Sequence, residues 1–314
     1  MNGRERLLAT LAGRPVDRPP VMEIDFAPVK EAFGVEFPSR NDFLAGGQTR
    51  ERALARTMEI NQRIIEEFAW DGIILLRPAQ DADGVAAARK AFGDRTAIGG
   101  ILWEGVWSID IIKDWPKFSE DLFDHPETVH AQAEQYCRIG LDRIDRMSDA
   151  GADFILIASD VGFNGGPFMS PDQFKIFVTP YLARLCQRIR DHGIIPMYHS
   201  DGMIMPIIDQ LMDAGVAVLQ SIDPMAGMDI RVVKELTRGR MALMGNVRCD
   251  HLQHGTPEQI TESALYALEH GSPGGGFIFS SSNTIFDGVP VENYRLMLSV
   301  FRHWCDQRKS LFLS

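Results

Sequence analysis

Eight short apolar runs recur along the chain, at residues 21–26, 73–77, 97–103, 154–159, 194–199, 217–221, 242–246 and 277–281, and each hands over to a longer amphipathic stretch. Apolar runs alternating with helix-length amphipathic segments are the pattern of repeated βα units around a parallel sheet. Eight such units close on themselves, so the spacing predicts an α/β fold of the (β/α)8 TIM-barrel type. At 314 residues the chain is long enough for such a barrel. No low-complexity linker or shift in composition divides it, and one barrel domain over residues 1–314 is expected.

Some helix starts are marked locally. Ser170-Pro171-Asp172 and Thr256-Pro257-Glu258 each place a capping hydroxyl before a first-turn proline and an acid. Residues 27–47 are irregular, and residues 98–115 read as a hairpin or an added loop over the barrel mouth.

Composition narrows the partners. Hydrophobic residues make up 45% and charged residues 24%, as in an ordinary globular protein. The formal charge of −11 and the lack of any Lys/Arg-rich run argue against nucleic acid. Cys137, Cys186, Cys249 and Cys305 have no CxxC spacing, the N-terminal residues lack the apolar core of a signal peptide, and no apolar stretch nears the ~20 residues that span a bilayer. A soluble cytoplasmic protein, away from membranes, is expected.

In a barrel the polar residues that end the strands converge on one pocket. Here they are Glu23 and Asp25, Arg77, Glu104, Asp160, His199 with Asp201, Asp223, Asn246, and the run Ser280-Ser281-Ser282-Asn283. His199-Ser200-Asp201-Gly202 is the sharpest motif, because residues two apart in a strand point the same way. His199 and Asp201 suit a metal site or an acid/base pair, with Asp160 on the neighbouring strand as a further catalytic candidate. The same histidine could instead cap its strand and bond a loop carbonyl, and Asp160 could cap the glycine-rich turn that follows it. Glu23, Arg77, Glu104, Asn246, Ser281, Ser282 and Asn283 are the candidate contacts to a small-molecule substrate. Gly274-Gly275-Gly276 precedes a strand, so it is read as a turn and not as a phosphate loop. Trp103, Trp107 and Trp115 are read as packing over the rim, and no Gly-x-Ser-x-Gly elbow is present.

Several of these segments together resemble the uroporphyrinogen decarboxylase superfamily: Arg4-Glu5-Arg6-Leu7, Gly13-Arg14-Pro15-Val16-Asp17-Arg18-Pro19-Pro20, Ser170-Pro171-Asp172-Gln173-Phe174, His199-Ser200-Asp201-Gly202, Gly245-Asn246-Val247, Gly255-Thr256-Pro257-Glu258 and Pro290-Val291-Glu292-Asn293. The resemblance runs through nearly the whole chain and implies the same barrel. It also implies one of two chemistries, cofactor-free decarboxylation of a tetrapyrrole or methyl transfer involving a corrinoid. Genuine decarboxylases of this family carry an arginine-rich Met-Arg-Gln-Ala-Gly-Arg motif near the N-terminus. Here Pro20-Val21-Met22-Glu23-Ile24-Asp25-Phe26 puts acids in its place, which disfavours a polyanionic substrate. The thiol-activating methyltransferases carry His-x-Cys after the fifth strand and another cysteine after the eighth. Asp201 and the serine run replace those cysteines here, removing the thiolates that favour zinc.

The resemblance, read with these departures, implies the branch that takes a methyl group from a small methylated substrate, such as an aryl methyl ether, and passes it to a corrinoid on a partner protein. His199 and Asp201, with or without a metal, would then polarise or protonate the leaving oxygen or nitrogen, and a site of His199 and Asp201, joined by Asp160 or Glu104, could still hold zinc through nitrogen and oxygen. Two alternatives stay open. One is a decarboxylase or lyase that grips a small carboxylate through Arg77 or Arg248. The other is a catalytically silent barrel that binds a ligand or a protein.

Overall fold

The computed structural model describes residues 1–76 and 78–308. Among the described residues nine strands form: β1 (Gly72–Ile74), β2 (Ala97–Leu102), β3 (Phe154–Ala158), β4 (Gly162–Phe163), β5 (Gly166–Pro167), β6 (Ile195–His199), β7 (Val218–Gln220), β8 (Ala242–Val247) and β9 (Phe277–Ser281). Seven of them make one curled sheet in the order β1-β2-β3-β6-β7-β8-β9. Every pairing in it is parallel, with helices on the outside. The architecture is TIM-barrel-like. The other two strands, β4 and β5, form a small antiparallel hairpin in the loop after β3.

The eighth expected strand, at 21–26, does not form. It makes two isolated bridges, Val21 to Phe279 and Phe26 to Ile285. The reason lies in two carboxylates that take over ladder hydrogen bonds. The Glu23 side chain accepts the Ser281 backbone N–H at 3.0 Å, and Asp71 Oδ2 accepts the Val21 N–H at 2.7 Å. Both donors are thereby satisfied without a continuous strand between β9 and β1. Of the two readings of residues 98–115, a loop and not a hairpin follows β2, carrying a short 3-10 turn at Ile109–Ile111, and the chain forms its hairpin at β4–β5.

Strand side chains alternate between two apolar layers. Leu156, Met197, Val218, Met244 and Ile278 fill the inside of the curl together with Leu7, which helix Gly3–Leu11 brings to the amino-terminal end of the strands. The intervening residues pack outward against the helices. Each such fully buried side chain contributes roughly 1.5–3 kcal/mol. Phe26, Phe68 and Tyr294 cover the interrupted segment from outside, with ring centroids 4.8–5.6 Å apart.

Both helix starts marked in the sequence carry full capping boxes. Ser170 pairs with Gln173 and Thr256 with Gln259, each with proline at the first helical position. The four cysteines are free and buried. Among the described residues no helix is long and apolar enough to cross a membrane.

Candidate functional site at the strand ends

The inward-facing rows of the sheet end in polar residues. Leu156 and Ala158 of β3 lead to Asp160. In β6, Met197 leads to His199, which is in register with Ala158 and, on its other side, with Gln220 at the end of β7. Asp201 follows His199 by two residues. Asp160, His199 and Asp201 therefore meet, with one ligand atom from each lying within 4.8 Å of the others. His199 Nε2 is 3.5 Å from Asp160 Oδ1 and 3.9 Å from Asp201 Oδ1.

The cluster is tightly bonded. The Asp201 backbone N–H donates to Asp160 Oδ1 at 3.1 Å, and Ser221 Oγ donates to Asp201 Oδ1 at 2.9 Å. Asn283 Nδ2 donates to Asp201 Oδ2. Behind His199, its Nδ1 meets Gln220 Oε1. Burial raises the Asp201 carboxyl above its ordinary value, and the negative charges of Asp160 and Asp223 add to this, while His199 and the Ser221 hydroxyl pull it down.

Asp201 opens onto a pocket of about 630 Å³. Phe163 of the hairpin, Met225 and Phe286 give it apolar walls, and Ser282, Asn283 and Gln253 give it polar ones. Asp223 and Asp250 also line it, and no lysine or arginine does so among the described residues.

The other candidates from the sequence scatter. Ser282 and Asn283 line this pocket. Glu23 and Ser281 do not: both are fully buried and bonded to each other at 2.7 Å, with Ser280 Oγ on the same carboxylate, also at 2.7 Å. Glu23 lies between Met22 and Ile24, which fill the curl, so alternation turns it outward toward Tyr294. Burial pushes its carboxyl up to about 7, and that of Asp25 up to about 6. Asn246 is buried, donates to Ile222 O at 3.0 Å, and faces a neighbouring cavity of about 380 Å³. Glu104 is 40% exposed and ion-paired with Arg143, away from the pocket. Arg77 lies outside the described residues.

Two contributors went unread in the sequence. Gln220 ends an apolar run as plainly as His199 does, and it is fully buried. Cys249 lines the pocket at the start of helix Cys249–His254 and takes a hydrogen bond from Ser282 Oγ at 3.4 Å, with burial pushing its thiol up to about 11.

One imidazole and two carboxylates are a donor set that catalytic zinc accepts, with a further position left open. Among the described residues neither Asp160 nor Asp201 pairs with a lysine or arginine, so His199 alone faces two carboxylates. A dication would neutralise that excess charge, and the residues fit a metal.

Comparison with known proteins agrees with this architecture. A Methanosarcina mazei methyltransferase superposes with a TM-score of 0.78 over 97% of this chain and 99% of its own, at 19% identity. In sequence the chain is 24% identical to uroporphyrinogen decarboxylase of Anaeromyxobacter dehalogenans over 69% of this chain and 61% of that protein. It is 25% identical, over the same shares, to the methylcobamide:CoM methyltransferase MtaA of Methanosarcina barkeri. The chain thus spans about three-fifths of the length of these relatives. The uroporphyrinogen decarboxylase (URO-D) family model matches residues 82–304, well over half of the sequence. The chain belongs to the uroporphyrinogen decarboxylase family.

Proposed function

We propose that this chain is a methyltransferase that takes a methyl group from a small methylated substrate, such as an aryl methyl ether, and delivers it to a corrinoid carried by a partner protein. In this reading residues 1–314 act as one barrel. The observation that carries it is the cluster of Asp160, His199 and Asp201, whose Asp201 opens onto a pocket with a described lining of acids, amides and aromatics but no cation. Such a pocket suits an uncharged methyl donor and repels a polycarboxylate. Similarity to a methylcobamide:CoM methyltransferase supports a corrinoid as the acceptor.

An ether oxygen leaves badly as an anion, so the site has to supply charge stabilisation or a proton. Asp160, His199 and Asp201 are the residues that would hold zinc, which when bound acts as a Lewis acid on that oxygen. In the metal-free form Asp201, with its carboxyl held above the ordinary range, is the group placed to carry a proton to the leaving oxygen. Ser282 and Asn283 orient the substrate by hydrogen bonds, and Phe163 and Phe286 pack on its ring. Positioned general-acid catalysis of this kind contributes roughly 10²- to 10⁴-fold.

Decarboxylation of a small carboxylate would instead need a cation over the pocket. Arg248 is committed to Asp250 through hydrogen bonds of 3.0 and 2.6 Å and lines the neighbouring cavity. That weakens the alternative.

The test is elemental analysis of the protein and its His199→Ala and Asp201→Ala variants, followed by incubation with aryl methyl ethers and cob(I)alamin. Near-stoichiometric zinc that both variants lose, with demethylated product from the parent protein only, is the expected result. A zinc-loaded protein that demethylates no ether in the panel sinks the proposal. A His199→Ala effect confined to ligand affinity would point to a silent binding barrel.

A further inference from the structure

Gln220 sits at the junction of three strand ends. Its Oε1 faces His199 Nδ1, and its Nε2 donates to the backbone carbonyl of Asn283 at 3.2 Å. A carbonyl only accepts, so the Asn283 oxygen fixes which end of the Gln220 amide carries the hydrogens. The end left facing His199 is then the amide oxygen, which also only accepts. His199 Nδ1 must therefore carry its proton, and the lone pair of the neutral ring resides on Nε2, the atom that faces Asp160 and Asp201. Asn283 returns to the cluster through its own side chain, donating from Nδ2 to Asp201 Oδ2. The circuit runs from His199 through Gln220 and Asn283 to Asp201.

The backbone beyond Gln220 is shaped to allow this. Consecutive strand residues point to opposite faces, yet Gln220 reaches His199 while Ser221 reaches Asp201 Oδ1 at 2.9 Å. The change of direction is made by positive φ at Ser221 (94°) and Ile222 (49°), a conformation disfavoured for both residue types. Such strain persists only where surrounding structure enforces it. Gly245 on β8 makes the space, because a Cβ there would lie 2.7 Å from the Ser221 carbonyl oxygen. Gln220 is fully buried, so water does not compete for its amide.

We infer that Gln220 is a positioning residue that locks His199 in the Nδ1–H tautomer, aiming the Nε2 lone pair at Asp160 and Asp201, and that the left-handed turn at Ser221 and Ile222 exists to bring Gln220 and Ser221 onto the site together. The role rests on the reading of Asp160, His199 and Asp201 as the reaction centre, but the tautomer can be measured without any reaction.

The experiment uses metal-free protein labelled with ¹⁵N-histidine, with two-bond ¹H–¹⁵N spectra recorded at alkaline pH where imidazole is neutral and His199→Ala used for assignment. The parent protein is expected to show His199 protonated at Nδ1. Gln220→Leu is expected to release it toward the Nε2–H form that free imidazole favours, and to weaken zinc binding, titrated against a chromophoric chelator, by about 10- to 100-fold. Gln220→Glu still accepts from Nδ1 and is expected to keep the tautomer, which separates positioning from mere loss of packing if Gln220→Leu folds poorly. Asn283→Ala keeps the backbone carbonyl and should also keep it. An Nε2–H ring in the parent protein, or an Nδ1–H ring that persists in folded Gln220→Leu, overturns the inference. A tautomer that shifts as expected in a protein that binds no zinc upholds the positioning role and removes the metal site instead.

Discussion

Gly162 and Gly202 meet backbone to backbone. A Cβ on Gly202 would lie 2.4 Å from both the carbonyl carbon and the oxygen of Gly162, and one on Gly162 would lie 2.6 Å from the Asp201 oxygen. The β4–β5 hairpin thus rests directly on the loop that carries Asp201. Met203 N–H donates to Phe163 O at 2.9 Å, and Trp115 flanks the hairpin with its ring 5.9 Å from those of Phe163 and Phe168. Gly202 also has φ +83°, so an added methyl group meets both a clash and backbone strain. Gly202→Ala is expected to lower stability by about 1–3 kcal/mol and to displace Asp201. Gly165→Ala, in the same hairpin with nothing within 4 Å of its Cβ, is the neutral control. Urea midpoints decide it, and equal midpoints for the two variants would refute the close-contact argument.

The parallel strands were legible because their apolar runs are buried by the sheet's inner core on one face and by helices on the other; β9 falls at 277–281 as read. The segment at 21–26 has the same apolar character, but hydropathy is blind to a carboxylate occupying a ladder position, which is what Glu23 does at Ser281. Period-two alternation was enough to bring His199 and Asp201 to one side, and strand adjacency brought Asp160 to them. Alternation also holds the clue to Glu23, since its neighbours Met22 and Ile24 face inward. Gln220 closes its apolar run as plainly as His199 does, but its two partners come together only where β6, β7 and the loop after β9 are assembled around it.

Asp160 supplies the test that separates a three-ligand site from a two-ligand one. Its Oδ1 lies 3.5 Å from His199 Nε2 and also accepts the Asp201 N–H, so it both completes the donor set and shapes the loop. Asp160→Asn keeps an acceptor for that N–H and removes the charge. Zinc affinity should fall by at least about 10-fold while the unfolding midpoint changes little. Unchanged affinity in the titration would take Asp160 out of the metal set.

Glu104, a candidate substrate contact in the sequence, is ion-paired with Arg143 and does not line the pocket beside Asp201. A partly exposed ion pair is worth about 0–1 kcal/mol. Glu104→Ala should therefore cost no more than that in urea unfolding and leave KM for the methyl donor unchanged. A KM raised tenfold with unchanged stability would return Glu104 to the substrate site.

Glu23 makes a prediction about pH. Its carboxyl sits at about 7 in the folded chain because burial disfavours the charged form, and the hydrogen bonds from Ser280 and Ser281 only partly offset this. The ordinary value of 4.5 applies once the chain unfolds. Between these values the folded protein holds a proton that the unfolded chain releases, so rising pH favours unfolding. The contribution is fully present below about pH 4.5 and is lost as pH passes 7, a total of about 3 kcal/mol. Asp25, raised to about 6 by its own burial, titrates in an overlapping window, so the parent protein's slope alone does not isolate Glu23. The difference between Glu23→Gln and the parent protein does. Measured by urea unfolding, it should shift in favour of the glutamine variant by about 3 kcal/mol from pH 4.5 to pH 8 and flatten above pH 8. A difference that stays constant across that range would mean that Glu23 keeps an ordinary carboxylate pKa despite its burial, with its bonds to Ser280, Ser281 and Tyr294 fully compensating the loss of water.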